Sequence, residues 1–201
     1  MSRVLSRRQQ YSEETREALL TTAAELFVEK GFTKTALAEI AAAAQVTRGA
    51  VYHHFADKRD LYRAVMERHE ERAMASVTAA FLEHEDPVDG AFAAMRAYLD
   101  HGLEPDYAEL VLRQGPIALG WEEWQQAEER GHAGLIEQIL TSLMAAGRIT
   151  PLPIEPLAAV TFTALSRCAM DIAGSAPDDR ERVREECGQV MVRLLSGLLV
   201  R

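Results

Sequence analysis

Between Thr33 and Lys58 the chain gathers side chains suited to gripping a polyanion and reading polar edges. Thr35 and Thr47 carry short hydroxyls, Arg48 and Lys58 carry cations, Tyr52 and His53 carry polar-tipped rings, and Gly49 removes bulk among them. An arginine near a helix N-terminus is placed for a guanine edge, the commonest specific contact to a base. Tyr52 and Lys58 suit phosphate oxygens, which set register rather than sequence choice. Thr35 and Thr47 would cap helices whose first N–H groups can receive phosphates. This is the chemistry of double-stranded DNA recognition, in which no bond is made or broken. Each residue also has a plainer reading. The threonines serve as caps alone, His54 and Phe55 as core packing, and Lys58 with Arg59 as a solvated pair.

Such side chains act together only if short helices present them. Ser12 offers a cap, and Leu19, Leu20, Ala23, Leu26 and Phe27 follow at helical spacing to Gly31, predicting a first helix over 13–30. A second helix starts at Thr35 and turns Leu37, Ile40, Ala41 and Ala44 inward. Thr47 caps a third, Arg48 to Phe55, with Ala50, Val51, His54 and Phe55 among its inward positions and Arg48, Tyr52 and His53 facing out. Asp57 caps a fourth that continues past Phe81 towards Pro87. Two short helices joined by a tight turn and flanked by longer ones form a helix-turn-helix. After Pro87 the periodicity predicts helices over 88–102, 105–114, 117–146, 155–174 and 178–200, with no strand alternation. The fold class is all-α, with about nine helices. Three parts are expected: a flexible basic arm (1–11), the helix-turn-helix domain (12–58) and a helical body (59–201). Arg3, Arg7 and Arg8 in the arm either enter a minor groove or form a solvated tail.

Net charge is −9 over 201 residues, but residues 1–60 balance at +1 and the remainder at −10. Screening confines phosphate attraction to about 8–10 Å, so an acidic body does not forbid a DNA-binding end. No apolar run approaches the roughly 20 residues that span a bilayer, and no apolar stretch follows the basic N-terminus. A cytoplasmic protein without membrane contact is expected. Cys168 and Cys187 are the two cysteines, and their spacing suggests neither a disulfide framework nor a metal site. There is no HExxH, no paired Glu-x-x-His, no Gly-rich phosphate loop and no nucleophile elbow. Neither enzyme activity nor a cofactor is expected.

The stretch from the first helix through Tyr62 resembles the tetracycline-repressor (TetR) family of transcriptional regulators. The resemblance rests on Gly31, Phe32, Thr35, Ile40, Ala41, Val46, Thr47, Gly49, Tyr52, His54, Phe55, Lys58 and Leu61 at fixed spacing. Two positions depart from it. Ala36 stands where a second hydroxyl is usual, and Gln45 replaces a turn glycine, at a cost on the order of 1 kcal/mol if the backbone there is left-handed. The resemblance implies a homodimer formed by the last two helices, a palindromic operator, and a small-molecule inducer bound in the body. Phe92, Met95, Tyr98, Trp121, Trp124, Phe162 and Met170 are the candidates for an apolar pocket, although an aromatic stripe at this spacing equally reads as core. Arg113, Gln114, His132, Arg167 and Asp171 are the polar candidates. The last helix carries Val183, Cys187, Val190, Met191, Leu194, Leu195 and Leu198, a stripe for either the dimer or the subunit's own core. The function expected is a dimeric repressor released by ligand. An activator or constitutive DNA binder of the same fold is the alternative, followed by a helical-bundle enzyme or metal-binding protein.

Overall fold

In the computed structural model, which describes residues 7–200, the chain forms ten α-helices. Helix α1 (Arg7–Lys30) starts before the cap expected at Ser12, so Arg7 to Tyr11 are helical rather than part of an arm. Residues 1–6, including Arg3, lie outside the described residues. α2 (Leu37–Ala43) and α3 (Arg48–His54) follow, and Asp57 caps α4 (Lys58–Leu82) by accepting from the Asp60 N–H at 2.8 Å. The inward stripe of α1, Leu19, Leu20, Ala23 and Phe27, is fully buried with Ile40, Val51, Leu61 and Tyr62. Each large side chain so buried stabilises by about 1.5–3 kcal/mol. Phe27, Phe32 and Tyr62 form an aromatic triad with centroids 5.0–5.8 Å apart, fastening α1 and the following loop to α4.

α4 runs on into the body, where Ala73 and Val77 join the same core. It packs along α5 (Pro87–Asp100), and Gly90 permits that approach, since a Cβ there would lie 2.7 Å from the Phe81 carbonyl oxygen. The single helix expected over 105–114 is a short turn, α6 (Pro105–Tyr107), followed by a π-helical segment over Ala108–Arg113. The helix expected over 117–146 is two, α7 (Gly115–Leu119) and α8 (Trp121–Ala145), broken at Gly120, whose φ of 78° a helix cannot contain. α9 (Ile154–Gly174) packs on α8, and α10 (Arg180–Ser196) packs on α9. The only β pairing among the described residues is one bridge, Ile149 to Leu199.

Contrary to the sequence expectation, the 21-residue α9 is long and apolar enough, by length and composition alone, to cross a membrane. Its inner face, including Phe162, Leu165, Ala169 and Ile172, is buried in the core, while Val160 remains 68% exposed. α10 divides in the same way: Met191 is buried and Val183, Cys187 and Leu195 pack on the core, whereas Val190 and Leu194 face out.

Candidate nucleic-acid interface

α3 is anchored from one side. The Thr47 hydroxyl caps it by accepting from the Ala50 N–H at 3.1 Å, and Val51 and Phe55 are buried in the core shared with α1 and α2. At 3.6 residues per turn, burying 51 and 55 turns 48, 49, 52 and 53 the other way. Arg48, Gly49, Tyr52 and His53 are accordingly all exposed, in two adjacent rows spaced i, i+4. A Cβ on Gly49 would meet only the Thr47 hydroxyl at 3.8 Å, so nothing within the subunit requires glycine there. The His54 ring stacks inward beside His53, and burial, then the His53 and Arg16 charges, lowers its pKa. The Arg16 guanidinium lies 5.6 Å from the centroid of the Phe55 ring, tying α1 to the end of α3.

The turn between α2 and α3 closes through paired 6→1 and 5→2 hydrogen bonds, Val46 N–H to Ala41 O at 3.0 Å and Gln45 N–H to Ala42 O at 3.2 Å. Gln45 takes the left-handed position with φ 56°, as its place in the turn anticipated. The N-cap of α2 is Ala36, which offers no side-chain cap.

Two of the expected phosphate contacts face elsewhere. Thr35 is 1% exposed, and its hydroxyl donates to the Gly31 carbonyl at 2.9 Å and the Leu26 carbonyl at 3.3 Å, so it closes the end of α1 instead of meeting a ligand. The Lys58 ammonium donates to the carbonyls of Phe32 and Thr35 at 2.8 and 2.9 Å and lies 4.3 Å from the Phe32 ring centroid. Partial burial lowers its pKa. Lys58 therefore staples the loop before α2 to the start of α4. Arg59 is also engaged, with the Leu119 carbonyl and, at 2.6 Å, with Glu123. The sequence reading passed over Lys34, which is exposed in that loop with no ion pair among the described residues. A lone lysine after Gly-Phe-Thr gave little signal.

The reading head is joined to the body by buried polar contacts. The Gln114 side chain accepts from the Phe32 N–H at 2.7 Å and donates to the Phe27 carbonyl at 2.9 Å and the Glu109 carboxylate at 2.7 Å. It hangs from the π-helical segment, where the Gln114 N–H reaches back five residues to the Glu109 carbonyl at 2.9 Å. Tyr62 Oη donates to the Leu110 carbonyl of that segment, and Trp124 Nε1 donates to the Val111 carbonyl at 2.8 Å. Burial, then the Glu109 charge, pushes the Tyr62 phenol far above its usual range.

In the body, a narrow apolar cavity with about 70 Å³ of free room lies among α4, α5, α8, α9 and the C-terminal end of the chain. Phe92, Met95 and Tyr98 line it, as expected, and so does His132. Trp121, Trp124, Phe162 and Met170 do not. Trp124 is buried against Gly115, Trp121 is 54% exposed, and Met170 packs at the edge of the core. Phe162 stands one ring away, stacked on His132 at 5.3 Å. The tryptophans meet helical spacing because they pack the α7–α8 junction onto the π-helical segment. Of the polar candidates, Arg113 and Arg167 pair with Glu109 and Asp171 on the surface.

Two family descriptions match the chain: "Bacterial regulatory proteins, tetR family" over residues 19–65 and "Tetracyclin repressor-like, C-terminal domain" over residues 88–198. The HTH-type transcriptional regulator AcrR of Shigella flexneri is 39% identical over 101 residues, covering 50% of this chain and 45% of that protein. The HTH-type transcriptional repressor BepR of Brucella suis is 42% identical over 78 residues, covering 37% of this chain and 36% of that protein. The matched stretch thus spans less than half the length of these curated relatives. The crystal structure of a TetR-family transcriptional regulator from Pectobacterium atrosepticum superposes with a TM-score of 0.85 at 30% identity, covering 98% of this chain and 99% of that one. With α3 held by Val51 and Phe55 to present one polar face, and with both halves matched, the chain belongs to the TetR family of bacterial transcriptional regulators.

Proposed function

We propose that this protein is a repressor that binds a palindromic double-stranded operator as a homodimer and is released by a small molecule held in its helical body. The observation that carries the reading is the outward face of α3, where Arg48, Gly49, Tyr52 and His53 are exposed while Val51 and Phe55 anchor the helix. Arg48 contacts a base edge, and Thr47, Tyr52 and His53 meet backbone or base oxygens. Thr35 and Lys58 act indirectly by fixing the loop and the start of α4. The role is recognition, not catalysis.

The outer faces of α9 and α10 would form the dimer, with Val160, Val190, Val192 and Leu194 at its centre, all exposed in the subunit. Two reading helices must stand about 34–36 Å apart to enter successive major grooves. The ligand acts by favouring an arrangement with another spacing. Two decades of weakened DNA binding need about 2.7 kcal/mol of differential affinity. α4, the π-helical segment and Gln114 connect cavity and head, so movement of α5 or α8 around a ligand reaches the loop that Gln114 and Lys58 hold.

The test is selection of bound fragments from bacterial genomic DNA by the wild type and by an Arg48→Ala/Tyr52→Ala variant, followed by titration of the best fragment. The wild type should enrich a palindrome, and the variant should lose roughly 5–150-fold from the arginine contact alone. Equal, weak and sequence-independent binding by both proteins would remove α3 as the reader.

A further inference from the structure

At the polar end of the apolar cavity, five ionisable side chains from four helices converge with almost nothing to bond to. α8 turns Glu128 and His132, spaced i, i+4, towards the interior, each 1% exposed. Glu70 of α4 reaches the same helix, its Oε2 lying 3.9 Å from the place a Cβ on Gly131 would take. Tyr98 of α5 meets the His132 ring edge-on at 5.4 Å, and Tyr107 of α6 is buried in the same region of the core. The Nδ1 of His132 lies 2.6 Å from the Glu128 carbonyl, so Nδ1 carries the proton and Nε2 is left an acceptor. That Nε2, both carboxyl oxygens of Glu128, Oε1 of Glu70 and the hydroxyls of Tyr98 and Tyr107 all lack a hydrogen-bond partner among the described residues. Native interiors leave few such atoms, and rarely six together.

The arrangement selects by charge. Four of the six atoms are carboxyl oxygens or an imidazole lone pair, and the rest are phenols, whose rings present negative faces. No group of three potential ligands among the described residues is placed to hold a metal ion. Burial, with Glu70 beside it, holds the Glu128 carboxyl well above the ordinary range, and burial raises Glu70 too. Tyr98 and His132 belong both to this cluster and to the cavity wall, so the polar end opens onto the apolar room.

We propose that Glu128 and Glu70, with Tyr98, Tyr107 and His132, form the head-group subsite for a hydrophobic organic ammonium whose tail lies in the cavity beside Phe92 and Met95. The inference rests on the reading of the cavity as the regulatory ligand site. An ammonium brings both the N–H donors that the orphaned oxygens accept and the charge that a dry carboxylate pair attracts most strongly. It also sits well against aromatic faces. The flexible Met74 and Met95 in the wall allow the narrow cavity to widen around a tail.

The experiment is direct calorimetry on the full chain without DNA, using three probes of equal length: 4-phenylbutylammonium, 4-phenylbutanol and 4-phenylbutyrate. The ammonium should bind at least tenfold more tightly than the alcohol, with the carboxylate weakest. Glu128→Gln should bring the ammonium down to the alcohol's affinity while leaving the alcohol unchanged. Glu70→Gln should do so in part, and serves if Glu128→Gln fails to show the wild-type helical melt. Equal binding of ammonium and alcohol, tighter binding of the carboxylate, or no binding of the ammonium overturns the subsite. A separate titration on operator DNA keeps the two readings apart. Charge-selective binding without DNA release sustains the subsite and refutes the inducer role. Release by the alcohol or carboxylate, with no binding of the ammonium, does the reverse.

Discussion

Replacing Lys58 with methionine separates two roles for the most conspicuous cation near the reading helix. Methionine keeps most of the aliphatic stem and removes the ammonium. If Lys58 is a staple, the variant loses two charge-assisted hydrogen bonds to the Phe32 and Thr35 carbonyls, at 2.8 and 2.9 Å, together with the contact to the Phe32 ring. Hydrogen bonds to charged groups contribute roughly 1.5–3 kcal/mol each, but the site is only partly buried and water can reach the freed carbonyls. A net loss of about 2–3 kcal/mol is expected. For a chain of this size that corresponds to a fall of roughly 4–12 °C in melting temperature. The salt dependence of DNA binding should stay the same, because no phosphate contact is removed. Thermal and urea melts measure the first quantity, and operator titrations between 50 and 200 mM salt, a range of about fourfold, measure the second. An unchanged melt with a salt slope shallower by about 0.9 would refute the staple and return Lys58 to the DNA backbone.

Gln45→Gly should raise stability by about 0.5–1 kcal/mol, since the left-handed φ of 56° costs an L side chain and costs glycine nothing, with part of the gain cancelled by a freer unfolded chain; a destabilised variant in urea unfolding contradicts this. Leu194→Glu removes a side chain that is 57% exposed in the subunit, so light scattering should report monomers with an intact helical melt. A persisting dimer places the interface elsewhere. Gln114→Leu leaves the buried Phe32 N–H without its acceptor and should lower stability by about 1–3 kcal/mol while blunting ligand-driven release from DNA; full release with wild-type stability removes the residue from the coupling. Unfolded, Glu128 ionises near pH 4.5, whereas the folded carboxyl keeps its proton well above that, so folding weakens as pH rises past 4.5, by at most about 1.4 kcal/mol per unit. Glu128→Gln should flatten that slope between pH 5 and 7.5, and parallel wild-type and variant profiles would show that Glu128 ionises normally.

The reading helix was legible because one apolar pair settled it: Val51 and Phe55 had to be inside, so Arg48, Tyr52 and His53 had to be out. The Gln45 turn was legible for a similar reason, because only one backbone conformation closes α2 so abruptly. What stayed hidden depends on partners far along the chain. A threonine hydroxyl before a helix looks like a cap whether it faces out or, like Thr35, turns back to the carbonyls of Gly31 and Leu26. The charge of Lys58 is visible in the sequence, but the carbonyls that hold it belong to residues more than twenty positions earlier. Trp124 met the pattern for a pocket and serves a junction, because an aromatic ring at helical spacing fits either. One signal for the acidic cluster was present and unread: Trp124, Glu128 and His132 fall at four-residue intervals, so a buried tryptophan should have drawn the carboxylate inward with it.

The π-helical segment makes the link between body and head a matter of counting. A π turn holds one residue more than an α turn, and here the surplus is stabilised by Tyr62 and Trp124 donating to the Leu110 and Val111 carbonyls. Losing that residue, by deletion within Ala108–Arg113 or by tightening to α geometry, would swing everything after it by roughly 100° about the helix axis and advance it about 1.5 Å. No intermediate rotation keeps the hydrogen bonds intact. Gln114 would leave Phe32 in one step, and the head would change between two settings, as a ratchet does, without sliding through the angles between them.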